Sequence, residues 1–163
     1  CREIGVIVPY ANHVKAIQRA IREEQRKGRL KELDMPLNEL VASVDSFQGQ
    51  ERDLIVFPFT RSNSRGAVGF LADWRRLNVA QTRAKKQLIM IGDIKTLTTP
   101  PRGPESPDAE FKQAMQKLHD LCVKEGWLLN AREMFPQIIN KQTARKKNGK
   151  ASKKAAIDEG MNR

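Results

Sequence analysis

Ile4-Gly5-Val6-Ile7-Val8-Pro9-Tyr10-Ala11-Asn12-His13-Val14-Lys15-Ala16-Ile17 opens with five residues that carry no polar side chain and then changes period. A half-buried strand would alternate apolar with polar. Here both faces are apolar, which is how a strand buried between two helical layers of a parallel sheet reads. Pro9 stops the run. From Asn12 the apolar positions are Val14, Ile17 and Ile21, a helical spacing, with Lys15, Arg19, Arg22, Glu23 and Arg26 elsewhere and Gly28 at the expected end. The stretch is strand, turn and amphipathic helix.

The same alternation recurs beyond it. After a polar linker around residues 31–38, Leu40 to Val44 reads as a short strand and Leu54-Ile55-Val56-Phe57-Pro58-Phe59 as a second apolar one, Pro58 marking an edge or a strand end. Asp73 is a good N-cap for a helix through Lys86 with Leu77, Ala80 and Ala84 on one face, and Leu88-Ile89-Met90-Ile91-Gly92 is a further buried strand. Strands alternating with helices predict an α/β domain over residues 1–97, with no internal repeat. Residues 98–107, with Pro100, Pro101, Gly103, Pro104 and Pro107, form a linker. Ser106 then caps a helix with Phe111, Met115, Leu118 and Cys122 at helical spacing, in an extension over residues 108–140.

The 163 residues bound the chain to one domain of ordinary size, and the net charge of +11 points to a polyanionic partner. More than half of that charge lies in residues 141–163, where eight Lys or Arg face only Asp158 and Glu159. This basic tail has too little apolar surface to offset its ordering entropy and is expected to be disordered; it either helps hold nucleic acid, serves as a nuclear address, or is simply solvated. No apolar run approaches the roughly 18 residues of a membrane-spanning helix, so no membrane partner is expected. The first residues show neither a Met nor a signal pattern, as in a piece of a longer chain. Cys1 and Cys122 stand far apart, and His13 and His119 are the only histidines. That gives no zinc pattern and no disulfide framework, so no metal ligand is expected and a reducing, intracellular compartment is the default, with a lean to the nucleus over the cytoplasm from the tail.

Three polar stretches follow strand ends: Pro9-Tyr10, Asp45 to Glu51 and Arg61-Ser62-Asn63. Ligands of open parallel sheets bind beyond the carboxyl ends of the strands, so the three are expected on one rim. Gly49 lets a backbone approach a ligand closely, and Gln48 and Glu51 offer an amide and a carboxylate suited to a ribose hydroxyl or a nucleic-acid backbone; alternatively Gly49 makes a turn and Glu51 is solvated. Arg76 and Arg83, seven apart, share one face of the predicted helix. Their guanidiniums suit a transferring phosphoryl group, or else pair with a carboxylate such as Asp73 or Asp93.

Together these segments resemble the C-terminal motor domain of superfamily 1 helicases, in the branch of the nonsense-mediated-decay helicase and senataxin. Ile4 to Tyr10 is similar to motif IV, Val41 to Asp53, with Phe47-Gln48-Gly49-Gln50-Glu51, to motif V, and Val68 to Ala84, with Arg75-Arg76-Leu77-Asn78-Val79-Ala80-Gln81-Thr82-Arg83-Ala84, to motif VI. The resemblance covers roughly Ile4 to Leu97. It implies a RecA-like, three-layer fold with a mostly parallel sheet, related to P-loop NTPases: the second of two motor domains that clamp ATP and grip a single strand of RNA or DNA. Arg83 would be the arginine finger, catalytic at the γ-phosphate. Gly49, Glu51 and Arg76 would approach the nucleotide, and Pro9, Tyr10, Ser43, Val44 and Gln48 would line the strand surface. His13 stands where the family has Gln, and Gln81 where it has an aliphatic residue.

No Gly-x-x-x-x-Gly-Lys-Ser/Thr occurs in the sequence. The resemblance implies that the cradle for ATP and Mg²⁺ would belong to the N-terminal RecA-like domain of the same parent chain, and this chain alone is expected to be inactive. The alternative is a stand-alone basic nucleic-acid-binding module that keeps the fold without ATPase activity. An unrelated α/β nucleotide binder ranks last, for want of any glycine-rich phosphate loop.

Overall fold

The computed structural model describes residues 3–47, 49–101, 103 and 106–136, the side chains of Phe70, Trp74 and Arg76 aside. Strands β1 (Ile4–Val8), β2 (Val41–Ser43), β3 (Arg52–Pro58) and β4 (Ala84–Ile91) form one parallel sheet in the order β2-β1-β3-β4. The absence of polar side chains from β1 has the expected consequence. Ile7 packs with Ile55, Phe57, Phe47 and Phe111 on one face, while Val8 packs with Met35, Leu40 and Val41 on the other.

Helices cover both faces except at β4, which the sequence reads as buried but where Ile89 and Ile91 are exposed. Helix α1 (Ala11–Arg26) lays Val14, Ile17 and Ile21 on the second face, beside the short α2 (Leu37–Leu40). Gln18 of α1 donates to the Val41 carbonyl at 3.0 Å, capping an acceptor on the edge strand β2. On the first face lie α3 (Trp74–Gln81), through Leu77 and Ala80, and α5 (Ala109–Lys124), through Phe111 and Met115. Phe47, Phe57 and Phe111 are fully buried, each contributing about 2–3 kcal/mol of transfer free energy. A Cβ on Gly5 would lie 2.6 Å from Cζ of Phe47, so β1 needs glycine where that ring crosses it.

The three-layer α/β architecture is the one the sequence predicts, with corrections. Asp73 does cap α3, accepting from the Arg75 amide at 3.1 Å, but the helix ends at Gln81 instead of Lys86. The Thr82 hydroxyl turns back onto the carbonyls of Asn78 and Val79, and the Arg83 carbonyl accepts from the Arg52 amide at 3.0 Å. Side-chain bonding to the preceding turn and sheet pairing thus capture residues that a helical pattern would continue. Pro58 marks a strand end, since β3 is an interior strand. Helix α2 and the short α4 (Ile94–Thr98), capped by Asp93, lie in segments without a helical pattern long enough to read.

The chain divides into two compact units at Leu121. In the second, α5 ends at a turn where Gly126 has φ +68° and Trp127 donates to the Cys122 carbonyl at 2.8 Å, followed by α6 (Ala131–Met134), capped by Asn130. The expected basic tail and the end of the extension lie outside the described residues, as does Gln48.

Candidate nucleotide and nucleic-acid edges

The ends of β1, β2 and β3 share the C-terminal rim as the sequence groups them, but part of the segment after β2 lies at the opposite edge of the sheet, a β3 length away, roughly 20 Å. The segment after β2 starts at the C-terminal rim but crosses to the start of β3, so Gly49, Gln50 and Glu51 reach the N-terminal edge.

At that edge the Arg52–Arg83 backbone hydrogen bond sets the start of β3 beside the turn from α3 into β4. Arg83 is thus displaced from the helix, and it shares no helix face with Arg76, which stays on α3. Among the described residues, the Nε atoms of Arg83 and Arg52 are buried without a hydrogen-bond partner. Arg52 is otherwise committed: it donates to the Glu51 carbonyl at 2.9 Å and the Gln50 amide oxygen at 3.0 Å, and lies over the Phe47 ring. Arg83 has no such engagement, and a desolvated guanidinium donor left open is costly unless an acceptor arrives. Asp93 is not its partner, because the Ser62 hydroxyl and the amides of Lys95 and Thr96 occupy that carboxylate and hold it below the usual carboxylate range.

Glu51 is exposed, 3.8 Å from Lys85, a weak pair that a ligand displaces easily. Gly49 has φ +78° and nothing within 4 Å of an added Cβ, so it both requires glycine and leaves its surroundings open. Asp53 and Lys86 pair tightly at the same edge, which lowers the pKa of the acid and raises that of the amine.

The C-terminal rim carries a cleft of about 860 Å³ between the start of α1 and the loop over residues 60–67. Its centre is Tyr10: Arg61 Nε donates to the Tyr10 hydroxyl at 3.3 Å, and the guanidinium lies 5.3 Å from the ring centroid. Gly69, at φ +59°, admits this pair, since a Cβ there would stand 2.9 Å from Arg61 Nη2 and 3.2 Å from the Tyr10 hydroxyl. His13 bonds Thr60 Oγ1 through Nδ1 at 2.7 Å, and burial lowers its pKa, keeping the ring neutral at pH 7. Ser43 lies opposite Val8 at the end of β2 and bonds Ser46 at 2.8 Å. Pro9 and Val44 are buried, so what they offer a ligand is main chain.

The cleft's loop is held from behind. Asn63 Oδ1 accepts from the amides of Arg65 and Ala67, and the Asn63 main chain exchanges hydrogen bonds with Thr96 Oγ1. Lys112 of α5, only 3% exposed, donates to the carbonyls of Gly66 and Thr96. Burial lowers the pKa of this amine. Sequence reasoning placed Arg61 on the ligand rim without giving it a role, and it missed Lys112. Arg61 had a signal, a cation directly after a buried strand; Lys112 had none. Among the described residues no group of His, Cys, Asp and Glu is arranged to hold a metal ion.

The model of the AAA domain family matches residues 1–95, more than half of the chain. Helicase sen1 of Schizosaccharomyces pombe is 43% identical over 96 residues, 59% of this chain and 5% of that protein. A regulator of nonsense transcripts 1 homolog of Arabidopsis thaliana is 45% identical over 135 residues, 83% of this chain and 10% of its own length. DNA polymerase alpha-associated DNA helicase A of Saccharomyces cerevisiae is 43% identical over 94 residues, 58% of this chain and 12% of its own. The chain thus spans a small part of the relatives it matches. With motifs IV, V and VI in order on a parallel α/β sheet, it belongs to the AAA domain family and, within it, to the motor domains of superfamily 1 helicases of the nonsense-mediated-decay and senataxin type.

Proposed function

We propose that the chain is the second motor domain of an ATP-dependent helicase, contributing an arginine finger and part of a single-strand surface to a parent protein whose first domain holds most of the nucleotide. The observation that carries this reading is Arg83: its main chain is held at a sheet edge by the Arg52 amide, and its side-chain Nε is buried with no hydrogen-bond partner among the described residues. ATP with Mg²⁺ supplies the phosphoryl group that water attacks. Arg83 would neutralise charge growing on that group, Arg76 would support the same edge, and Glu51, released from Lys85, would accept from the ribose beside open Gly49. The fit is to one side of a nucleotide only, so the chain by itself neither hydrolyses ATP nor unwinds a duplex.

The strand surface is the opposite rim, where Tyr10, Arg61 and Ser43 offer a ring, a cation and a hydroxyl to the sugar and phosphate of RNA or DNA. Such contacts bind with little regard to sequence. Loading ATP on one edge and the strand on the other lets closure against the first domain act on both. Replacing Arg83 with Ala in the parent protein tests this reading: hydrolysis is expected to collapse while ATP still binds, and unchanged hydrolysis would leave the non-catalytic binding module as the better account.

A further inference from the structure

Helix α1 carries a second feature, on the side turned away from the sheet. Lys15, Arg19, Arg22 and Arg26 follow one another at steps of four, three and four, so they form one ridge roughly 16 Å long. All four are exposed, and none is in an ion pair with another described residue. The two acids of the helix, Glu23 and Glu24, do not neutralise the ridge. Glu24 sits across the helix and is held by Lys27 and by Arg29, whose guanidinium approaches to 2.5 and 2.8 Å. Those cations keep its carboxyl at about 2. Glu23 flanks the ridge, four residues after Arg19 and three before Arg26, but forms an ion pair with neither.

Four aligned like charges repel one another and weaken an isolated helix by a few tenths of a kcal/mol per pair. Nothing in the packing of α1 uses them, because its contact with the sheet runs through Val14, Ile17, Ile21 and Gln18. The ridge also has a definite start. Asn12, three positions before Lys15, lines the rim cleft together with His13 and Arg61. A chain of phosphates leaving the cleft at Asn12 meets Lys15 next and then the three arginines, with Glu23 as the one acidic side chain on the flank.

We propose that this ridge is a track for the sugar-phosphate backbone of the nucleic acid, extending the bound length of strand beyond the rim cleft. It rests on the reading of the cleft as the strand site. Cations spaced along one line suit a flexible polyphosphate, and exposed Lys and Arg contribute affinity mainly by releasing counterions, so the track adds length-dependent and salt-dependent binding without sequence preference.

The test uses the parent protein and labelled oligouridylates of increasing length, titrated at several salt concentrations. The variant is the combined Lys15→Gln, Arg19→Gln, Arg22→Gln and Arg26→Gln, which keeps residues of good helix propensity at exposed positions. Wild type is expected to gain affinity, and a steeper salt dependence, once the oligonucleotide outgrows the cleft. The variant is expected to lose that gain, with the slope of log K against log salt falling by about 0.7 per phosphate contact removed, up to about 3 for four. Short oligonucleotides are expected to bind both proteins equally. Equal binding of the long ones by both proteins overturns the track, as does an equal loss at every length. Polyglutamate bound through these four residues as tightly as an oligouridylate of equal charge also overturns it, in favour of an acidic protein partner. Arg61→Ala separates the two levels: if it weakens short oligonucleotides while the fourfold variant changes nothing, the track alone falls; if it weakens none, the cleft reading falls with it.

Discussion

Replacing Lys112 with Met removes a buried ammonium while keeping most of the side chain's volume. In the structure that ammonium donates to two carbonyls, those of Gly66 and Thr96, both on buried residues. Each carbonyl left without a donor costs about 1–3 kcal/mol. Relief of the ammonium's own desolvation, which lowers its pKa, offsets part of this. The expected net loss is about 2 kcal/mol. It should fall on the loop that Lys112 holds, because the amides of Asn63, Arg65 and Ala67 are protected by the network behind the cleft. Native-state hydrogen exchange reads this directly: at about 1.4 kcal/mol per tenfold change, these amides should exchange roughly 30-fold faster in the variant, while those of β1 and β3 change little. Exchange unchanged at residues 63–67, or equally accelerated throughout the sheet, would refute the argument that Lys112 acts on this loop.

Gly69→Ala strains a residue at φ +59° and also puts a methyl 2.9 Å from Arg61, whereas Gly28→Ala, at φ +67° with open space around it, brings strain alone. Both are expected to cost about 1–2 kcal/mol in a denaturant titration, but only Gly69→Ala should weaken single-strand binding; equal effects on binding would contradict the role of the Tyr10–Arg61 pair. His13 has a pKa lowered by burial, so its unfolded form binds protons more readily. Stability from this group is complete above the ordinary value of 6.5 and is lost as pH falls below it toward the folded value. Urea titrations from pH 7.5 to 5.5 should show that slope in wild type and a shallower one in His13→Gln, and identical slopes would contradict it.

Strands β1 and β3 were legible because residues apolar on both faces have few places to go other than a buried parallel sheet, and α1 because its periodicity runs over several turns. What stayed illegible depended on distant partners. The end of α3 is decided by Thr82 folding back and by Arg83 pairing with Arg52, 31 positions earlier, so a helix-compatible sequence becomes a strand. The grouping of the three strand ends on one rim holds for Pro9-Tyr10, Asp45 and Arg61 to Asn63 but not for Gly49 to Glu51, for a topological reason: the segment after β2 must travel to the start of β3 and carries them with it. Lys112 reads as a solvated position between Phe111 and Met115, and only the carbonyls of Gly66 and Thr96 reveal it as a buried one. Arg83 was singled out for a helix face shared with Arg76, and the fold does not make that face, because α3 ends at Gln81.

The most direct test of the motor-domain account is single-turnover ATP hydrolysis by the parent protein, with and without single-stranded RNA, comparing wild type with Arg83→Ala. Loss of a finger that stabilises transferring phosphoryl charge is expected to cost about 10³-fold or more in the hydrolysis rate, with nucleotide binding largely kept. Hydrolysis by Arg83→Ala at the wild-type rate would contradict the account.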